Sequence, residues 1–346
     1  MKSLWENVLE GTFDTSSYDD SSYEAEVESY VTEEPETMVA YVANCTEGML
    51  AVQTAVAMME GQCAVQYIRG QKEEATATME GVLRNAWETL KDWIRRAYAA
   101  IKKFLKKAWN KMKGYVNVFK AMVTKYAYVL KGKKISGLKV DWVEIDMAGG
   151  RNALEAALKD IDNSFVKLKK GETAPTPNFD GNKSYHEQLE TGFFGGNTKT
   201  NKKGETTSYG RFVQEKDWND VADKAVRIAD DGFDKVYSEA FKLGEMTERD
   251  ILKDLNEDVS ERRDKADEKK TDSSRNKAMN AANQYARRKT NVVRDYCQMV
   301  NTAASLQVRL AVKACRKAIR HQAEASSATY GMESSTDFSA VMGEIL

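Results

Sequence analysis

Between residues 79 and 130, apolar side chains recur at steps of three and four. Leu83, Trp87, Leu90, Ile94, Ala97, Ile101, Phe104, Ala108, Met112, Tyr115, Phe119, Met122 and Tyr126 make up the series. That spacing gathers them on one side of an α-helix and is incompatible with the period of two of a strand. The lysines and arginines fall mainly between them, on the other side. The pattern predicts one long amphipathic helix, or two broken near Gly114. Lys131-Gly132-Lys133-Lys134 marks its end, with a glycine to leave the helix and cations at the negative end of its dipole. Such a helix buries its apolar edge only against other elements, so the rest of the chain has to supply them.

The remaining sequence is suited to that. With 3 Pro in 346 residues and 30% charged residues, long helices are favoured over a secreted β-sandwich or a Pro-rich disordered chain. Residues 12–35 are polar and acidic and read as a mobile arm. From 36 to 68, Met38, Val42, Cys45, Met49, Val52, Val56, Met59, Cys63 and Ile68 predict a well-buried helix. Residues 138–145 partly alternate, as a short strand does. Gly149-Gly150 precedes a helix with the stripe Leu154, Leu158, Ile161, Phe165 and Leu168.

Residues 171–211 carry Pro175, Pro177 and many glycines, and 198–209 suggest a hairpin turning at Asn201–Gly204. A helix is predicted over 216–243. Thr247-x-x-Asp250 resembles the cap of the next, and 256–276 read as a solvated helix or hinge. A last stripe runs over 277–325. The expected organisation is an acidic flexible arm (1–35), an N-terminal helical domain (36–170) and a linker or small hairpin (171–211). A C-terminal helical region (212–325) and a tail (326–346) follow. The expected fold is mostly α: an elongated multi-helix bundle of long amphipathic helices, coiled-coil-like, with at most a small β-hairpin.

Charge is segregated although the net is −1. Residues 1–50 hold twelve acids against one base, and 84–134 hold fifteen bases against two acids. Residues 273–321 hold eleven bases against one acid, and 322–346 four acids and no base. Blocks of opposite sign in one chain attract each other, so the acidic arm is expected to lie over basic helices. A sharper version has the arm mask a surface until something displaces it.

Little here points to a reaction. His186 and His321 stand without acids or cysteines at ligand spacing, and Gly192–Gly196 matches no phosphate-binding loop. No catalytic residue, metal ligand or cofactor is predicted. Cys45 and Cys63 are 18 residues apart, as are Cys297 and Cys315. Each pair therefore lies on one helix face about 27 Å apart, too far to bridge. A bridge between the two helices is geometrically conceivable, but buried free thiols are expected, which suits a reducing compartment. No window is apolar enough to span a membrane and no signal peptide is read at the N-terminus.

The ensemble runs from an acidic Ser/Tyr arm through a Met/Ala helix to a Trp/Lys helix. The last contains Ala86-Trp-Glu-Thr-Leu-Lys-Asp-Trp-Ile-Arg-Arg and Ile101-Lys-Lys-Phe-Leu-Lys-Lys-Ala-Trp-Asn-Lys-Met-Lys. A helical C-terminal half and a short tail follow. In layout and texture over most of the chain, this resembles internal head and minor structural proteins of large contractile-tailed bacteriophages. The resemblance implies a packaged, non-enzymatic virion component near capsid or genome, assembled in the host cytoplasm. It also implies trimming by a head protease after Glu333, in Gly331-Met332-Glu333-Ser334, or in Met58-Met59-Glu60-Gly61.

The expected function is a virion structural or interaction protein, packing through charge-segregated helices against other virion subunits or itself, with DNA as a non-specific neighbour. The alternative is a membrane-active helix masked by the acidic arm. In either case the candidate phosphate- or lipid-contacting residues are Arg95, Arg96, Lys102, Lys103, Lys106, Lys107 and Lys113. The candidate interfacial aromatics are Trp87, Trp93, Phe104 and Trp109.

Overall fold

A computed structural model describes the backbone except at residues 1–19, 131–134, 170–183, 196–213, 231, 265–271 and 330–346. Within helices, the side chains of 20–37, 72–80, 257–264, 272–278, 323–329 and a few single positions also lie outside the description. Helix α1 (Asp20–Ile68) and helix α2 (Lys72–Lys125) form an antiparallel hairpin. Gly70 reverses the chain between them at φ 89°, in the left-handed region that costs a glycine little. A short turn of helix, α3 (Ala127–Leu130), follows. Strand β1 (Lys139–Trp142) leads into α4 (Met147–Lys169) and α5 (Tyr185–Phe194). Strand β2 (Gln214–Asp217), α6 (Trp218–Asp230), α7 (Gly232–Asp264) and α8 (Asp272–Thr329) complete the described chain.

The mostly-α bundle expected from the periodicity is what forms. Helix α8 is its axis. It packs against α1, α2, α3, α4, α5, α6, α7 and β1, and its residues 279–319 are buried on nearly every side. This explains the alanines of α8: Ala282, Ala286, Ala303, Ala311 and Ala318 let neighbouring helices approach closely. One continuous core joins both helical halves, from Val42 and Ile94 through Leu154 to Val300. The only described sheet is antiparallel, β1 on β2, with Val140 opposite Lys216 and Trp142 opposite Gln214. It closes about 70 residues of intervening chain and buries Trp142 and Trp218.

Of the two forms expected for residues 79–130, the unbroken one forms: α2 runs through Gly114, with Met112 and Phe119 buried on either side. Several other local expectations need correction. Residues 20–35, expected as part of a flexible acidic arm, are helical and form the first part of α1. Residues 216–243 are not one helix: Gln214–Asp217 pair with β1, and α6 and α7 are separate. Thr247 caps nothing. It is buried inside α7 and its hydroxyl donates to the carbonyl of Leu243 at 2.9 Å, which satisfies a mid-helix threonine. Residues 256–264 continue α7.

The stretch expected as linker contains α5, started by a capping box in which Ser184 accepts from the Glu187 amide and Glu187 accepts from Ser184. Gly149, Gly150 and Gly192 let α5 seat against α4. A Cβ on Gly150 would stand 2.6 Å from the Phe193 ring, and one on Gly149 would stand 2.6 Å from the Gly192 carbonyl oxygen. The hairpin expected over 198–209 and the helix stop at 131–134 lie outside the described residues.

Candidate functional site

Helix α2 is divided lengthwise. Leu90, Ile94, Ala97, Tyr98, Ile101, Leu105 and Phe119 are buried in the core. Arg84, Arg95, Arg96, Lys103, Lys106, Lys107, Lys113 and Lys120 are exposed on the other sides. From Arg84 to Lys120 the cationic face runs about 54 Å along the helix. Glu88 and Asp92 are the only acids between residues 84 and 125. Glu88 accepts from Lys91 at 3.0 Å, and that bond holds its carboxyl below the ordinary range.

The seven predicted cations are not equivalent. Lys102 turns toward α7, bonding Glu248 at 2.7 Å and approaching Glu245 at 3.7 Å, so it serves the fold. Arg96 pairs with Asp92 at 2.7 Å and sits 5.3 Å from the Trp93 ring centre. Both members of that pair are half exposed, so it contributes little. Lys113 lies 4.0 Å over the Trp109 ring. Arg95, Lys103 and Lys106 form no ion pair among the described residues, and Lys107 is exposed. Lys120, which the prediction left out, continues the face.

The four aromatics flank the core. Phe104 is buried, while Trp87, Trp93 and Trp109 are half-buried and pack against core residues. Trp109 also donates its indole N–H to Asp234 at 2.7 Å. While the bundle is closed, the apolar edge of α2 is occupied by protein.

The second basic block behaves differently. Lys289 is almost fully buried, and Arg287, Arg288, Arg294, Arg309 and Arg316 are half-buried on the central helix. Lys289 bonds Asp162 at 2.6 Å and lies 4.6 Å from the Tyr285 ring centre. The Tyr285 hydroxyl contacts Asp162 at 3.0 Å and also Asp254, and Phe165 stacks on its ring at 4.2 Å. Burial and these carboxylates push the Tyr285 hydroxyl far above its usual range. This polar cluster ties α4 and α7 to α8. Sequence periodicity hid it because its members lie on three helices far apart in the chain.

His186 approaches Asp295 at 3.7 Å, and that partner raises the imidazole above its usual value. Asp295 is also clamped by Arg294 at 2.6 and 2.8 Å. His321 is half-buried near the end of α8. Cys45, Cys297 and Cys315 are buried free thiols, with burial pushing the last two up to about 12. Among the described residues no group of His, Cys, Asp and Glu is arranged to hold a metal ion. No described helix is long and apolar enough to cross a membrane.

A cleft of about 420 Å³ is walled by Trp142, Val143, Ile145, Phe193 and Phe194. Its charges are already engaged. Glu144 lies 3.4 Å from Lys216 and 3.9 Å from Lys224, and Asp146 accepts from the Gly149 amide at the start of α4.

A second unusual surface lies at the hairpin end of α1. Leu50, Met58, Val65 and Ile68 are exposed, Ile68 at 84%. The exposed positions between them are Ala51, Thr54, Ala55, Ala57, Gly61, Gln62 and Ala64, none of them charged. Glu60 falls inside α1 with its side chain outside the description, and Glu333 lies outside the described residues. No protein-family model matches the chain, and no curated protein or solved structure does either.

Proposed function

We propose that this chain is a non-catalytic structural protein that docks to anionic surfaces through α2. The observation that carries the proposal is the lengthwise division of that helix. Its apolar edge is consumed by the core, while Arg95, Lys103 and Lys106 are exposed without ion pairs among the described residues. A row of unneutralised cations on a rigid helix repels itself, and an anionic surface relieves that repulsion. The exposed apolar residues Leu50, Met58, Val65 and Ile68 support docking against a protein neighbour, since exposed apolar surface of this kind is stabilised by burial.

The resemblance in layout to internal head and minor structural proteins of contractile-tailed phages supplies the setting. The partner is then a neighbouring virion subunit, with packaged DNA as a second anionic surface. Contact with DNA through this face is sequence-independent, because cations that meet phosphates carry no base readout.

Retention on immobilised duplex DNA and on poly-glutamate, across a salt series, tests the docking face. Each phosphate contact contributes roughly 0.9 to the logarithmic salt slope. The triple variant Lys103→Glu, Lys106→Glu, Lys113→Glu is expected to flatten the slope by about 3 units on DNA. It is also expected to weaken retention on poly-glutamate. Equal retention of wild type and variant on both supports refutes the docking face. The virion setting is tested by mass spectrometry of purified phage particles, in which the chain must be present.

A further inference from the structure

The α1–α2 hairpin has a readable register. A Cβ placed on Gly48 would stand 2.4 Å from the Trp93 ring, so those two positions are in contact. Cys45 lies close enough to Arg96 for the guanidinium to act on its thiol. Both pairs obey one rule: the position numbers sum to 141. Helix α1 continues from these contacts back to Asp20 and α2 continues forward to Lys125. Extending the register sets Asp20–Glu36 alongside Leu105–Ala121.

Those two segments have opposite charge. Residues 20–36 contain seven acids and no base, and residues 105–121 contain five lysines and no acid. The register sets Glu34 across from Lys107 and Glu28 level with Lys113. Helical periodicity then separates the lysines of α2 into two lines. Lys107 and Lys111 follow Trp93 and Arg96 along the α1 side, while Lys103, level with Met38, lies beyond the acidic segment. Lys106, Lys113 and Lys120 lie on the side away from α1.

We infer that the acidic first third of α1 is the occupant of the inner lysine line of α2, an intramolecular clasp held by charge. The outer line, with Arg95, is left for other anions. The clasp does not depend on what α2 docks to, because both of its members belong to this chain. Lys107 is exposed and Lys111 half-buried, and attraction to such charges over about 10 Å is screened at 0.1 M salt. The clasp is therefore salt-sensitive, unlike the buried half of the hairpin around Val42, Cys45 and Met49.

Hydrogen exchange of the full chain tests this. Amides between residues 20 and 36 are expected to be protected at low salt and to exchange faster as salt rises. Residues 90–105 provide the folded control. In Glu33→Lys/Glu34→Lys, exchange over 20–36 should accelerate about tenfold, since two cross-helix attractions become repulsions of similar size. Adding Lys107→Glu should restore protection, and Lys113→Glu, on the outer line, should leave the reversed variant unrescued. Salt-insensitive exchange over 20–36 overturns the clasp. So does equal exchange in wild type and reversed variant, failure of Lys107→Glu to rescue, or equal rescue by Lys113→Glu.

Discussion

Two glycines of α1 provide a sharp test of the hairpin. Gly48 and Gly61 occupy the same helix, and alanine at either adds the same single methyl group. Helix propensity alone favours alanine by about 1 kcal/mol at each. At Gly61 nothing lies within 4 Å of the added carbon, so that gain is expected in full. At Gly48 the new carbon would meet three atoms of the Trp93 ring at 2.4, 2.6 and 2.7 Å. Carbon atoms prefer about 3.5–4.0 Å, so the indole or the helix has to move by about 1 Å. Trp93 packs against core residues and cannot swing away freely. Overpacking of this kind costs about 1–3 kcal/mol.

Gly48→Ala is therefore expected to be neutral to about 2 kcal/mol destabilising, against about 1 kcal/mol of stabilisation for Gly61→Ala. Urea unfolding monitored by circular dichroism at a fixed protein concentration reads the difference directly. If both alanines stabilise equally, the contact between α1 and α2 at Trp93 is wrong. The register that sets Glu34 across from Lys107 then falls with it.

The polar cluster inside the bundle gives a coupled prediction. Asp162→Asn strands the buried Lys289 ammonium and is expected to cost about 2 kcal/mol, reduced from the usual buried-pair value because Asp162 is half exposed. Lys289→Met should cost less than about 1 kcal/mol and should make a subsequent Asp162→Asn nearly silent. Additive losses in the double variant refute the pairing. For His186 the folded imidazole is raised by Asp295, with Glu190 favouring and Arg294 opposing the charged form. Its stabilisation is whole below the unfolded value of about 6.5 and fades as pH rises through the folded value. Stability should therefore fall more between about pH 6 and 9 in wild type than in Asp295→Asn, and parallel profiles would remove that role. Cys297 and Cys315 should resist alkylation in the folded chain and react once it is unfolded. Peptide mass spectrometry distinguishes the two states, and labelling without unfolding contradicts their burial.

The stripe from Leu83 to Tyr126 was legible because a repeat of three and four survives any arrangement of neighbours. The same holds for the side of the helix on which the cationic residues between its members fall. Segregated charge was equally readable, since it is a property of order along the chain. What lay beyond reach were relations between distant segments. Residues 216 and 217 look like the start of a helix until β1, about 70 residues earlier, supplies a hydrogen-bonding partner. Thr247 reads as a cap until the helix continues on both sides of it.

Lys102 and Lys103 are adjacent and chemically identical, yet only packing decides that the first is taken by Glu248 and the second is left exposed. The basic block of α8 shows the largest gap. Its apolar stripe was legible, but not that the bundle wraps eight elements around the helix and buries Lys289 beside Tyr285. Local periodicity determines which face of a helix is apolar. Which charges remain outside depends on how many neighbours that helix acquires, and only the closed tertiary structure sets that number.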